Sequence, residues 1–281
     1  MINYFTKRKI ISKIALLLCF FSAVWGLFWL VFIIFDVLRH GISALNLSLF
    51  LEDPAPPGVP GGGLRNAIVG QLLITTFSTL IGVPIGVLGG TFLAEYGRRW
   101  KISKFISNLS DIMISVPTII IGAFVYAILV RPMGHFSGWA GALSLAIIMI
   151  PVVIRTTEDM LNLIPWTLRE AAFALGAPYH KVIIHIVYRG ASTGILTGVI
   201  LAVARVSGET APLLFTSFNN PYFSLDMNNP IASLTITIFQ YAMGPYKDWH
   251  IKAWGASLIT TFFVLCLTLI GRFLIYKRFK H

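Results

Sequence analysis

Two charged residues interrupt the fifth of six apolar runs in this 281-residue chain, within Ala204-Arg205-Val206-Ser207-Gly208-Glu209-Thr210-Ala211-Pro212. An unpaired charge at the centre of a bilayer costs at least about 2.5–3.5 kcal/mol even on insertion scales, so Arg205 and Glu209 should face a wet cavity or the inside of a helix bundle. Their i,i+4 spacing places them on one helical face, where they can pair. Two readings stand side by side. In one, the guanidinium fork receives a passing oxyanion, Glu209 holds the fork or limits how tightly the anion binds, and Thr210 belongs to the same pathway. In the other, the pair is a structural bridge between helices.

A second stretch carries a different kind of signal. Trp166-Thr167-Leu168-Arg169-Glu170-Ala171-Ala172-Phe173-Ala174-Leu175 follows Pro165 and precedes Gly176 and Pro178, which start and stop a short helix. Leu168, Ala171, Ala172 and Leu175 repeat at i, i+3, i+4 and i+7, giving one apolar face with Arg169 and Glu170 off it. Such a face must be covered, and headgroups or a docked partner would serve equally.

Other chemistry finds little support. The six histidines form no i,i+4 pair and no H-E-x-x-H, so no metal ligands are assigned. There is no recognisable pair of carboxylates, so no catalytic residue is assigned. Gly61-Gly62-Gly63 lies in a Pro/Gly-rich segment from Pro54 on, and reads as an exposed loop. A phosphate cradle would need G-x-x-x-x-G-K-[ST], which the chain lacks. Cys19 and Cys266 both sit in apolar runs, away from any disulfide framework.

These residues must be positioned by membrane helices. The chain is 56% hydrophobic and 12% charged, with a mean hydropathy of +0.80. Spans are expected at about Ile14 to Phe35, Ala67 to Leu93, Ile112 to Val130, Trp139 to Ile154, Ala191 to Ala211 and Trp254 to Tyr276. The first run is too long for a signal peptide and lacks a small-residue cleavage site. Lys7, Arg8, Lys9, Lys13, Arg98, Arg99, Lys101, Lys104, Arg155, Arg169, Lys181, Arg189, Arg272, Lys277, Arg278 and Lys280 fall on one side of these spans. Only Arg39, Arg65, Arg131, Lys247 and Lys252 fall on the other, so both termini are placed in the cytoplasm. The net charge of +11 is therefore topological, and a nucleic-acid partner is set aside. Thr75, Thr76, Ser78, Thr79 and Pro84 in the second span, and Pro117 and Thr118 in the third, are expected mainly to bond local carbonyls and bend helices, although hydroxyls can also line a pathway. Glu95 to Arg99 reads as a capped helix end, and Asn219-Asn220-Pro221 and Asn228-Asn229-Pro230 read as turns.

Glu170-Ala171-Ala172, three residues, Gly176, nine residues and Ile186 resemble the EAA loop of type I ABC importer permeases. That family usually continues x-Leu-Pro, where this chain has Val187-Tyr188-Arg189. Leu168 to Ala172, Ala174 to Ala177, Gly194 to Gly198 and Gly208 to Thr216 are similar to the PstA family of phosphate-importer permeases. Pro54 to Gly63 and Ala94 to Gly97 extend the likeness over nearly the whole chain from Asp53.

The resemblance implies an all-α, six-span membrane protein with a cytoplasmic coupling helix, in the cytoplasmic membrane of a prokaryote. An N-terminal helix and external loop would occupy 1–66, the transporter domain 67–276 with its EAA loop at about 156–190, and a basic tail 277–281. Arg169, Glu170, Ala171, Ala172, Leu175 and Gly176 would couple to an ATPase. The implied partners are a PstC-like permease, two PstB-like ATPase subunits, a PstS-like phosphate-binding protein, phosphate and membrane lipid. The chain itself would hold no cofactor, since ATP and Mg belong to the ATPase, and would catalyse nothing. A permease for molybdate or sulfate is the alternative, and a self-sufficient channel or secondary carrier is the reading from another class. The latter would leave the docking helix unexplained.

Overall fold

The computed structural model describes residues 4–97 and 100–278, with side chains described as far as Phe273. Arg98 and Arg99, the arginine cap expected after Gly97, and the end of the basic tail from Phe279 lie outside the described residues. All regular structure among the described residues is helical, apart from one bridge between Pro54 and Gly62 in the loop.

Five helices are long and apolar enough to cross a membrane: α1 (Tyr4–Ile42), α3 (Arg65–Tyr96), α6 (Gly138–Asn162), α8 (Tyr179–Val206) and α11 (Lys247–Arg278), with a short α2 (Leu47–Leu51) after the first. A bent pair, α4 (Lys101–Ser115) and α5 (Thr118–Met133), which meet at 105°, is together long and apolar enough to count as a sixth. The third span is thus not the straight run from Ile112 to Val130 that the apolar pattern suggests. Proline has no N–H and pushes its predecessor out of the α region. Accordingly Val116 (ψ 131°) and Pro117 (ψ 129°) are extended, and the helix restarts at Thr118.

The centre of the bundle is the α3–α6 pair. Ser78, Gly82, Gly86 and Gly90 repeat every four residues along α3 and admit a ridge of α6 formed by Met149, Val153 and Thr157. Small residues at this spacing let membrane helices approach closely, where dispersion replaces the missing hydrophobic drive. A Cβ added at Gly86 would stand 2.6 Å from Val153 Cβ, and one at Gly90 only 2.5 Å from Ile154 O. Gly86→Leu is therefore expected to cost about 1–3 kcal/mol by overpacking or more. A fall in the melting temperature of the detergent-purified protein checks this; an unchanged melting temperature would mean that the pair is looser than described.

Around this pair, α8 packs on α6, α11 packs on α8, and α10 (Leu234–Met243) packs on α11 and α3. A short α9 (Ala211–Thr216) lies against α5 and α6. Helix α1 stands apart, with exposed apolar side chains along its length, and meets α11 at its last turn, where the His40 and Trp254 rings stack at 4.8 Å. Among the hydroxyls of the second span, Ser78 and Thr79 donate to Thr75 O at 2.9 and 2.7 Å, as expected of local satisfaction. The loop glycines are tied down by Lys252, whose Nζ donates to Gly61 O and pairs with Asp248 at 3.3 Å.

Two boundaries differ from the hydropathy pattern. Helix α6 runs past Ile154 to Asn162, and α8 starts at Tyr179 rather than Ala191, so only 163–178 lie between them. Polar residues at helix ends can project beyond the apolar layer, so a hydropathy window stops short of the true helix. Val187-Tyr188-Arg189 lacks the family's proline, and the backbone passes through a π turn, Ile183–Val187, straight into the span. Tyr188 Oη and Thr91 Oγ1 are hydrogen-bonded at 2.5 Å, fixing this joint to α3.

Candidate functional site

Between α6 and α8 lies α7 (Trp166–Ala174), the helix expected from Pro165 and Gly176. Gly176 adopts φ +78° immediately after it, the left-handed conformation that glycine takes without strain. The expected apolar stripe divides. Ala172 is buried, whereas Leu168, Ala171 and Leu175 face outwards, Leu175 being 89% exposed. Glu170 is exposed too.

Arg169 does the opposite of Glu170. It turns inwards and is 4% exposed. Its Nη2 pairs with Glu95 Oε1 at 2.6 Å and donates to Leu161 O at 3.0 Å, while Nη1 donates to Ile164 O. The guanidinium also lies over the Trp166 ring at 5.4 Å. Tyr179 Oη donates to Glu95 O at 2.8 Å and approaches Glu95 Oε2 at 3.3 Å. Glu95, read from sequence as part of a helix cap, is thus the buried anion of a network joining α3, α6, α7 and α8. Its one sequence signal was a carboxylate closing an apolar run, where an ionisable group needs a partner.

Arg205 and Glu209 are not on one helical face. Helix α8 ends at Val206, and Ser207 to Thr210 form a break before α9. Gly208 and Pro212, a breaker and an N-terminal proline, account for this stop and restart. The i,i+4 pairing expected for an unbroken helix is absent: Arg205 is exposed in the last turn of α8 and makes no ion pair with any described residue. Glu209 and Thr210 are half-buried in the break. The break is pinned by Gln71 Nε2, which donates to Ser207 O at 3.1 Å, and by Thr235 Oγ1, which donates to Glu209 O at 3.0 Å. Gln71 lies about 9 Å along α3 from Arg65, so Arg205 is displaced from mid-span towards the Arg65 end. Arg155, by contrast, is paired at a partly exposed position. It binds Asp111 through two bonds of 2.8 Å, Ser107 at 2.9 Å and Glu158 at 2.8 Å, fastening α4 to α6.

A bundle of this kind, with a short helix offering an uncovered apolar face and a broken span carrying an arginine, is the outline of a transport subunit. Residues 82–277 match the family model described as binding-protein-dependent transport system inner membrane component. The chain belongs to that family of multi-pass inner membrane proteins. It is 52% identical over 278 residues to the phosphate transport system permease protein PstA of Pasteurella multocida, covering 99% of each chain. The protein of the same designation from Haemophilus influenzae is 51% identical over 265 residues, 94% of each chain. A chain of the MetNI methionine ABC transporter, solved in inward-facing conformations, superposes with a TM-score of 0.59 at 18% identity, covering 76% of this chain and 94% of that one. That likeness speaks for the fold alone.

Proposed function

We propose that this chain is the permease subunit of an ATP-driven importer that moves inorganic phosphate across the cytoplasmic membrane of a prokaryote. The observation that carries this reading is the full-length similarity to chains designated phosphate transport system permeases. Helix α7 is the coupling helix. Its outward residues Leu168, Glu170, Ala171 and Leu175 seat in an ATPase, and Gly176 sets the exit of the helix. Closure of two ATPase subunits on ATP and Mg, which they alone bind, pushes α7 and rocks the spans. A second, related permease completes the pathway, and a binding protein delivers phosphate from outside. The positive-inside count supports cytoplasmic termini, with α7 on the same side as both. Arg205, Glu209 and Thr210 border the path of the anion at the broken end of α8, where a guanidinium without an internal partner suits an oxyanion.

Tagged chain isolated from native membranes in mild detergent is expected to bring down a second permease and an ATP-hydrolysing subunit in a one-to-two ratio of this chain to ATPase. A chain that isolates alone and still carries phosphate would overturn the reading and restore the self-sufficient carrier.

A further inference from the structure

We infer that the Arg169–Glu95 bridge, closed by Tyr179, is a transmission latch that carries displacement of α7 to the end of α3; the inference rests on the reading of α7 as the coupling helix. The apolar attachment of helix α7 is confined to Ala172 and the half-buried Phe173, whose ring stacks on Tyr179 at 5.8 Å. A second tether is polar. Through one guanidinium it grips the carboxylate at the end of α3, the carbonyl of Leu161 at the end of α6 and that of Ile164 just beyond it. Through Tyr179 the same carboxylate is bonded to the start of α8. Three spans therefore converge on one ion pair, and the α3–α6 pair that forms the core is gripped at both of its ends on this side.

Stability does not account for the bridge. Both side chains are enclosed, 5% and 1% exposed, and Arg169 Nε has no hydrogen-bond partner. A buried ion pair with an unsatisfied donor recovers its desolvation cost poorly, and well-packed apolar residues in its place are often neutral or stabilising. What such a pair does supply is directional, strongly distance-dependent attachment between elements that must move together. The surroundings suit movement. A cavity of about 620 Å³ lies beside the latch, lined by Glu95, Tyr96, Trp100, Trp166, Phe173 and Tyr179. Helix α3 reaches Glu95 through a π turn, Phe92–Tyr96, and α8 leaves Tyr179 through another, Ile183–Val187. Such turns are common at functional joints in helices. Without the latch, α7 could shift into the cavity and leave α3 behind. Arg169 and Glu95 are thus positioning residues: they touch neither phosphate nor ATP.

The test replaces the pair by apolar residues of similar volume, Glu95→Leu with Arg169→Met, in the assembled complex reconstituted into vesicles. The readout is phosphate imported per ATP hydrolysed, with ATPase co-isolation and melting temperature measured on the same preparation. The latch predicts a fall in that ratio of at least about fivefold, the lower end of typical coupling between sites, with the melting temperature maintained. An unchanged ratio in complexes that retain the ATPase overturns it. Should the double variant fail to assemble, Tyr179→Phe removes a single hydroxyl and should still lower the ratio; an unchanged ratio there overturns the latch equally. Leu175→Glu on the outward face separates the two levels. If it weakens ATPase co-isolation while the latch variants leave the ratio intact, only the latch falls. If it has no effect on co-isolation, the coupling reading of α7 falls first.

Discussion

Arg205→Gln is expected to reduce ATP-dependent phosphate uptake by about 10- to 150-fold, equivalent to losing a charge-assisted hydrogen bond of about 1.5–3 kcal/mol. The folded protein and its ATPase should be recovered in unchanged amount. Arg205 occupies the last turn of α8, where a cation favours the helix dipole. That contribution is worth at most about 1 kcal/mol at an exposed position, and its loss would lower stability slightly without touching transport. A structural bridge would make the variant costly to folding, but no described residue pairs with Arg205, and Glu209 has left the helix. Uptake and melting temperature measured on one preparation separate the cases. A parallel loss of folded protein and uptake would return Arg205 to a bracing role.

The second large effect is at Gly176. Its φ of +78° costs an ordinary L-residue about 1–2 kcal/mol, and a β-branched one more. Nothing lies within 4 Å of a Cβ added there, so Gly176→Val acts through the backbone and not through a clash. The strain would be relieved by re-aiming α7 relative to α8, and transport should fall by about 5- to 30-fold, the equivalent of 1–2 kcal/mol. Gly176→Asn, which tolerates the left-handed region, should restore most of it. Gly134 has a similar φ of +76° with open space around it, beyond the end of α5. Gly134→Val should therefore strain the chain as much and leave phosphate moved per ATP unaffected. Equal effects at the two glycines would show that Gly176 matters to folding alone.

Much of this fold was legible because membrane spans announce themselves as long apolar runs. Six are expected; five single helices meet the length and hydropathy of a crossing, and the bent α4–α5 pair makes six when it is counted as one span. What the sequence hid follows a pattern. Hydropathy reports the apolar part of a helix, so the continuation of α6 through Arg155 to Asn162 and the start of α8 at Tyr179 carry no apolar signal. Pro117 was seen as a bend, but whether a proline kinks a helix by a little or turns it by 105° is decided by packing around it, here by α6 and α9. The break after Val206 was signalled by Gly208 and Pro212, yet the apolar run around them favoured a continuous helix and an ion pair that does not form. The motif around Arg169 points it to the outward machinery, whereas its side chain is enclosed. Its partner Glu95 is 74 residues away, and no spacing rule in a single sequence links the two. The role of Glu170 and Leu175 at an ATPase, by contrast, depends on surfaces that only the assembled transporter brings together.

The central claim is that this chain moves phosphate on ATP supplied through a partner. The direct measurement is uptake of labelled phosphate into vesicles carrying the chain and its co-isolating subunits, with and without ATP, challenged by excess molybdate and sulfate. The account predicts uptake that requires ATP and is indifferent to both competitors. Uptake of molybdate or sulfate in place of phosphate would keep the architecture and replace the substrate. Phosphate flux that persists without any ATPase would contradict the account at its root.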